Sequence, residues 1–196
     1  VILLIDNFDS FAHILADYFR RTGEQVTVLR NNVSLEEINQ LHFSALVISP
    51  GPETPEKAGN LMEILAHYYD KVPVLGICLG HQAIGTFFGA QLIRSSWPMH
   101  GKISTVFRKK QHEVLKDLPE TFKVTRYHSL ELENLPDCLS LILEGEKGEI
   151  MMLAHKELPI LGFQFHPEAH LTEYGEALIQ NWVSLIKELK IPQIHY

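Results

Sequence analysis

The chain has 196 residues, 45% of them hydrophobic and 21% charged, and a formal net charge of −7. That length suits one domain, 1–196, able to bury roughly 70% of the surface its unfolded chain exposes, and the composition excludes a disordered protein. The acidic balance argues against a nucleic-acid partner, and no apolar run is long enough to span a membrane.

The opening run Val-Ile-Leu-Leu-Ile meets Asp6 after five residues, too soon for a signal-peptide core. Residues 1–5, 26–29, 45–48 and 72–75 are short apolar segments of strand type. Between them, 10–22, 34–41 and 59–69 carry helical spacing, such as Phe11, Leu15, Tyr18 and Phe19. Ser10 and Ser34 are expected N-caps, and Gly23 falls where a glycine follows a helix. Strand–helix alternation predicts a parallel sheet covered on both faces, with sites gathered at the carboxyl ends of its strands. Three loops start there: Asp6-Asn7-Phe8-Asp9, Ser49-Pro50-Gly51-Pro52 and the segment around Cys78.

That third segment, Gly76-Ile77-Cys78-Leu79-Gly80-His81, reads as a thiol on a sharp strand-to-helix turn. A strand precedes it and a helix over 82–88 follows. Glycines on either side of the nucleophile let the backbone turn tightly, as in the nucleophile elbow of α/β hydrolytic enzymes. Unpaired N–H groups and the helix dipole at such a place favour thiolate over thiol.

Beyond residue 90 the pattern changes to shorter strands at 91–94, 102–107, 122–126, 139–143, 150–155 and 160–164, closed by a helix over 172–189 with Trp182 in its core face. The basic cluster Arg108-Lys109-Lys110 is expected in a solvated loop, and Cys138 in the core. Two cysteines without a secretory pattern fit reduced thiols in the cytoplasm. No repeat or linker divides the chain. The expected fold class is α/β, with a mixed, mostly parallel central sheet, helices on both faces and a cysteine nucleophile elbow.

The segment Gly162-Phe163-Gln164-Phe165-His166-Pro167-Glu168 is a strand ending on a histidine, with a carboxylate two residues later. A base must reach the nucleophile, and a third group must hold its ring in one tautomer. Cys78, His166 and Glu168 supply these roles. A metal reading would use His166 and His170 with Glu168, His81 or His128. The spacing is not that of a zinc helix motif and Pro167 interrupts the segment, so no metal site is expected.

Cys78 in Gly-Ile-Cys-Leu-Gly-His-Gln, with His166-Pro167-Glu168, resembles the triad of class I glutamine amidotransferases. Leu3-Leu4-Ile5-Asp6-Asn7-Phe8-Asp9-Ser10-Phe11, Ile48-Ser49-Pro50-Gly51-Pro52, Met99-His100-Gly101-Lys102 and Arg126-Tyr127-His128-Ser129-Leu130 extend the likeness nearly end to end. They are similar to the amidotransferase subunits of anthranilate synthase and aminodeoxychorismate (para-aminobenzoate) synthase. The resemblance implies hydrolysis of L-glutamine through a Cys78 thioester, with His166 as acid and base and Glu168 orienting it. It places the oxyanion at the backbone N–H groups of Leu79 and Gly51, in a loop with Pro52 and Glu53. Gln82 and the Ser129–Leu130 backbone would grip the α-amino and carboxylate ends. The ammonia would pass to a chorismate-binding synthase subunit, itself expected to need Mg2+; this chain needs no cofactor.

Three departures from the family pattern stand out. Glu53 replaces a small residue and is expected in an ordinary backbone region. Ala169 follows His-Pro-Glu where serine is usual, and Ala12, His13 and Ile14 replace a Thr-Tyr-Asn-like run. A free-standing amidase or γ-glutamyl hydrolase is the alternative enzyme, disfavoured by Met99-His100-Gly101-Lys102. A non-catalytic module would have lost the cysteine, which this chain keeps.

Overall fold

The computed structural model describes residues 1–189. Its strands are β1 (Ile2–Asp6), β2 (Val26–Arg30), β3 (Ala45–Ile48), β4 (Val74–Ile77), β5 (Gln91–Arg108), β6 (Thr121–Glu133), β7 (Leu139–Gly145), β8 (Ile150–His155) and β9 (Ile160–Phe163). Its helices are α1 (Ala12–Arg21), α2 (Leu35–Ile38), α3 (Leu61–Tyr68), α4 (Leu79–Phe88) and α5 (Gly175–Glu188). The strands form one sheet in the order β2-β1-β3-β4-β9-β8-β7-β5-β6. Pairings from β2 to β9 are parallel; those from β9 to β6 are antiparallel.

Strand β1 is buried at every position because its alternate side chains feed two different cores. Ile2 and Leu4 pack with Leu15 and Phe19 of α1 and Trp182 of α5, while Leu3 and Ile5 pack with Ile38 of α2, Leu65 of α3 and Ile84 of α4. Helices therefore cover both faces, as a near-continuous apolar strand requires.

Local signals explain several boundaries. Ser34 caps α2 in a reciprocal capping box with Glu37, and Gly23 follows α1 at φ +90°. Ser10 does not cap α1. Phe11 occupies that position without a side-chain bond, and the entry turn is organised by Asp9, whose carboxylate accepts from the Phe11 N–H at 2.8 Å. Helix α2 is one turn long and stops short of residue 41.

The segments expected at 91–94 and 102–107 are one strand, β5, kept continuous through register shifts against β6. Strand β6 likewise runs to Glu133, well beyond residue 126. The basic cluster is not uniformly solvated. Arg108 ends β5 with its side chain 9% exposed, donating from Nη2 to the carbonyls of Leu115 and Leu118 at 3.1 and 2.7 Å. Cys138 is half-buried at the edge of the core, and both cysteines are free. Among the described residues, no helix is long and apolar enough to cross a membrane.

Candidate active site

Strands β1, β3, β4 and β9 end side by side, so the loops that follow them meet at one edge of the sheet. The first two loops are tied together by Asn7. Its backbone N–H donates to Ser49 Oγ and its side-chain amide to the Ser49 carbonyl, both at 2.9 Å. Asn31, following β2, donates to Asn7 Oδ1 at 3.0 Å.

The turn after β4 is sharper than a helix beginning at residue 82 would need. Strand β4 ends at Ile77, α4 starts at Leu79, and Cys78 alone makes the corner at φ 52° and ψ −100°. Such a conformation costs a non-glycine residue about 1–3 kcal/mol and persists only where its surroundings impose it. The Cys78 N–H is fixed by the Phe163 carbonyl on β9 at 2.7 Å. The flanking glycines make the corner possible by close approach: a Cβ on Gly76 would lie 2.3 Å from the backbone carbon of Gly80. A Cβ on Gly51 would lie 2.8 Å from Leu79 Cδ2, so the loop after β3 presses on the start of α4.

The β4–β9 register pairs Ile77 with Phe163, which brings His166 beside Cys78 although they are distant in sequence. His166 is 2% exposed and its Nδ1 lies 2.6 Å from Glu168 Oε1, with Glu168 equally buried. Burial alone would lower the His166 pKa. Its interactions with the Cys78 sulfur and the Glu168 carboxylate outweigh burial and hold the pKa well above the ordinary 6.5. The Nε2 atom completes no hydrogen bond with a protein group. The rings of Phe11 and Tyr127 close on His166 edge-on at centroid distances of 5.5 and 5.1 Å. Asp9 lies near enough to feel His166 and Glu168; partial burial raises its pKa against the opposing Phe11 N–H.

In front of the thiol is a cavity of about 150 Å³ lined by Gly51, Pro52, Glu53, Cys78, Gln82, Ser129 and Leu130, the expected binding residues, together with His100, Tyr127 and His128. Leu79, also expected there, is not among the lining residues; its side chain is buried in the core. Gln82 is already engaged: its Nε2 donates to the Leu130 carbonyl at 3.0 Å and to Gln164 Oε1 at 3.3 Å. Glu53 does not sit in an ordinary backbone region. Its φ is +60°, the left-handed conformation that the usual small residue would adopt more easily.

The sequence reading missed Gln164 as a site residue, although it stands inside the histidine motif. It is fully buried and its Nε2 points at Cys78 Sγ from 3.8 Å. The thiol also faces the Tyr127 carbonyl at 3.9 Å. Alternation along β9 and the segment after it was the available signal, because a polar residue at a core-facing position needs a partner. Two histidines are held neutral by their surroundings. Complete burial pushes the pKa of His81 down to about 3. Burial, with Arg126 nearby, pushes that of His128 down to about 4. Among the described residues, no group of three or more His, Cys, Asp or Glu side chains could hold a metal ion.

The chain's likeness to known proteins runs along most of its length. The model of the glutamine amidotransferase class-I family matches residues 3–185. Anthranilate synthase component 2 of Azospirillum brasilense is 44% identical over 194 residues, covering 97% of this chain and 98% of that protein. The aminodeoxychorismate/anthranilate synthase component 2 of Bacillus subtilis is 39% identical over 194 residues, covering 96% of this chain and 98% of that one. A crystal structure of a candidate GMP synthase component from Thermoplasma acidophilum superposes with a TM-score of 0.87 at 27% identity, covering 96% and 94% of the two chains.

Proposed function

Since this chain belongs to the class-I glutamine amidotransferase family, we propose that Cys78, His166 and Glu168 are its catalytic triad, acting on L-glutamine in the adjoining cavity. The observation that carries this reading is the buried His166–Glu168 pair, 2.6 Å apart, set beside a thiol on a strained elbow.

The steps follow from the positions. His166 takes the Cys78 thiol proton as the sulfur attacks the side-chain amide carbon, and the carbonyl electrons move onto oxygen. That negative charge is assigned to the backbone N–H groups of Leu79, at the start of α4, and Gly51, in the loop after β3. His166 gives a proton to the departing nitrogen, which leaves as ammonia, and a glutamyl thioester remains. His166 then takes a proton from water, whose oxygen attacks the thioester carbon, and the returning proton regenerates the thiol as glutamate departs. Glu168 accepts from Nδ1, holding the ring so that Nε2 faces the reaction. Ser129 and Leu130 present backbone groups to the substrate's α-amino and carboxylate ends. With its Nε2 committed to Leu130, Gln82 contributes its carbonyl oxygen, an acceptor suited to an α-ammonium group.

The component 2 homologues support a reading in which the ammonia is consumed by a chorismate-binding synthase subunit, making anthranilate or 4-amino-4-deoxychorismate in the cytoplasm. The decisive experiment is Cys78→Ser assayed together with that synthase. Glutamine-dependent product should vanish while synthesis from ammonium salts survives, and retained glutamine-dependent product refutes the thioester. Glutamate release by the isolated chain as fast as by the complex would instead favour a free-standing hydrolase.

A further inference from the structure

A second buried polar cluster lies behind the cavity wall formed by β6. Arg126 is 1% exposed, and its Nη1 meets Glu149 Oε1 at 2.7 Å. The same nitrogen reaches Ser104 Oγ at 3.3 Å, and Arg126 Nε donates to His128 Nε2 at 2.9 Å. On the other side of the imidazole, His128 Nδ1 lies 2.8 Å from the Leu130 carbonyl. A guanidinium nitrogen only donates and a carbonyl oxygen only accepts. Both contacts therefore force the same tautomer, with Nε2 accepting and the proton on Nδ1.

The path continues to the nucleophile. The Leu130 carbonyl takes its second bond from Gln82 Nε2, which also meets Gln164 Oε1, and Gln164 Nε2 points at Cys78 Sγ. Such a chain matters because β6 is the last strand of the sheet: its outer side is tied at Lys123 and Thr125 to the 166–173 segment, and the Ser129–Leu130 stretch lies beyond those bonds. An edge strand's ladder fixes one side of its backbone and leaves the other to side chains. A buried ion pair adds little net stability for its desolvation, but it holds its partners in one geometry. Burial opposes ionisation of Glu149, yet Arg126 and the Lys147 N–H keep its pKa below the ordinary value, so the pair is charged.

We propose that Arg126 and His128 are positioning residues: Arg126, anchored by Glu149, fixes the His128 tautomer that holds the Leu130 carbonyl, and thereby sets the Ser129–Leu130 rim and the Gln82 carboxamide that grip glutamine. The inference rests on glutamine occupying the Cys78 cavity.

The test uses a chloroketone analogue of L-glutamine, which alkylates a thiolate as sulfur bonds to the chloromethyl carbon and chloride leaves. Its half-saturation constant reads grip on the amino-acid portion, and its rate at saturation reads the thiol. His128→Asn keeps a donor where Nδ1 stood; His128→Gln keeps an acceptor where Nε2 stood. The half-saturation constant should stay within about threefold in His128→Asn and rise about tenfold in His128→Gln, with saturating rates within about threefold throughout. Thermal unfolding should show His128→Asn to be the less stable of the two, since it strands the Arg126 Nε–H. A merely structural role would move stability and grip together. Equal half-saturation constants in the two variants, or a defect confined to the saturating rate, overturn the proposal. Labelling of the wild type that never saturates overturns the glutamine reading, and the positioning role with it.

Discussion

His166 Nδ1 and Glu168 Oε1 stand 2.6 Å apart with only Pro167 between them in sequence, and both side chains are shut away from solvent. The short connection and the burial make the carboxylate an inseparable part of the histidine's acid–base behaviour.

Glu168→Gln should therefore move the titration of His166. The pKa is above its unfolded value, so the stability it contributes is complete below about pH 6.5 and disappears as pH climbs through the raised value. Removing the carboxylate charge lowers that pKa and shifts the alkaline loss of stability to lower pH. Ring titration by NMR and denaturant unfolding between pH 6 and 9 check both. We expect kcat to fall at least ~10²-fold. An unchanged ring titration contradicts the assignment.

His81 and His128 give the opposite slope. Their folded pKa values, about 3 and about 4, lie below the unfolded one. Their stabilising contribution is complete above pH 6.5 and lost as pH falls, because the unfolded chain takes up protons that the folded one refuses. Below about pH 6 each adds up to ~1.4 kcal/mol per pH unit of acid destabilisation. Urea midpoints between pH 5 and 6 should fall less steeply in His81→Gln than in wild type; identical slopes would show that His81 is not held neutral.

Gly76→Ala tests the elbow by sterics alone. The added methyl meets Gly80 backbone atoms at 2.3 and 2.4 Å, and backbone cannot rotate aside as a side chain can. A loss of about 3 kcal/mol is expected, which at this size lowers Tm by roughly 6–12 °C. A wild-type melting curve would mean that α4 can slide away from β4.

Glu53→Gly should stabilise. Relieving a left-handed glutamate recovers about 1–2 kcal/mol, partly offset by the greater freedom of glycine in the unfolded chain. The net expectation is about 0.5–1 kcal/mol, or a few degrees in Tm. A lower Tm would show that the Glu53 side chain makes contacts worth more than its strain.

That Cys78, His166 and Glu168 come together was legible because each sits in a short local pattern: a glycine-flanked cysteine after an apolar strand, and a His-Pro-Glu run three residues beyond the end of another. Strands β1, β3, β4 and β9 were legible because burial on both faces demands nearly continuous apolar runs, and edge strand β2, half-buried, still keeps Val26, Val28 and Leu29. The continuity of β5 was not. Pro98 and Gly101 interrupt its pattern, and only the register shifts that accommodate them against β6 keep the strand whole. The Ser10 cap failed because α1 begins one residue later, with Phe11 at the cap position and the entry turn held by Asp9. The Arg126–His128–Gln82 chain was invisible for another reason. Arg126 and His128 share a face of β6 by their i, i+2 spacing, but Gln82 comes from α4 and Glu149 from the turn before β8, and nothing in the sequence links those two to the pair. The left-handed Glu53 shows the limit of propensity, since a loop packed against neighbouring turns can impose a conformation its sequence disfavours.

The position of β9 has a consequence for the order in which this protein can become active. Residues 160–163 fill the middle of the sheet, between β4 and β8, and the Phe163 carbonyl secures the Cys78 N–H. A chain emerging from the ribosome displays the thiol long before it displays the strand that completes the corner. Until that strand is inserted, Cys78 lacks both the bond that holds its strained backbone and the imidazole beside it. The reactive centre is thus armed late, by the closing of a gap in the sheet, and a half-made chain has no means of wasting glutamine.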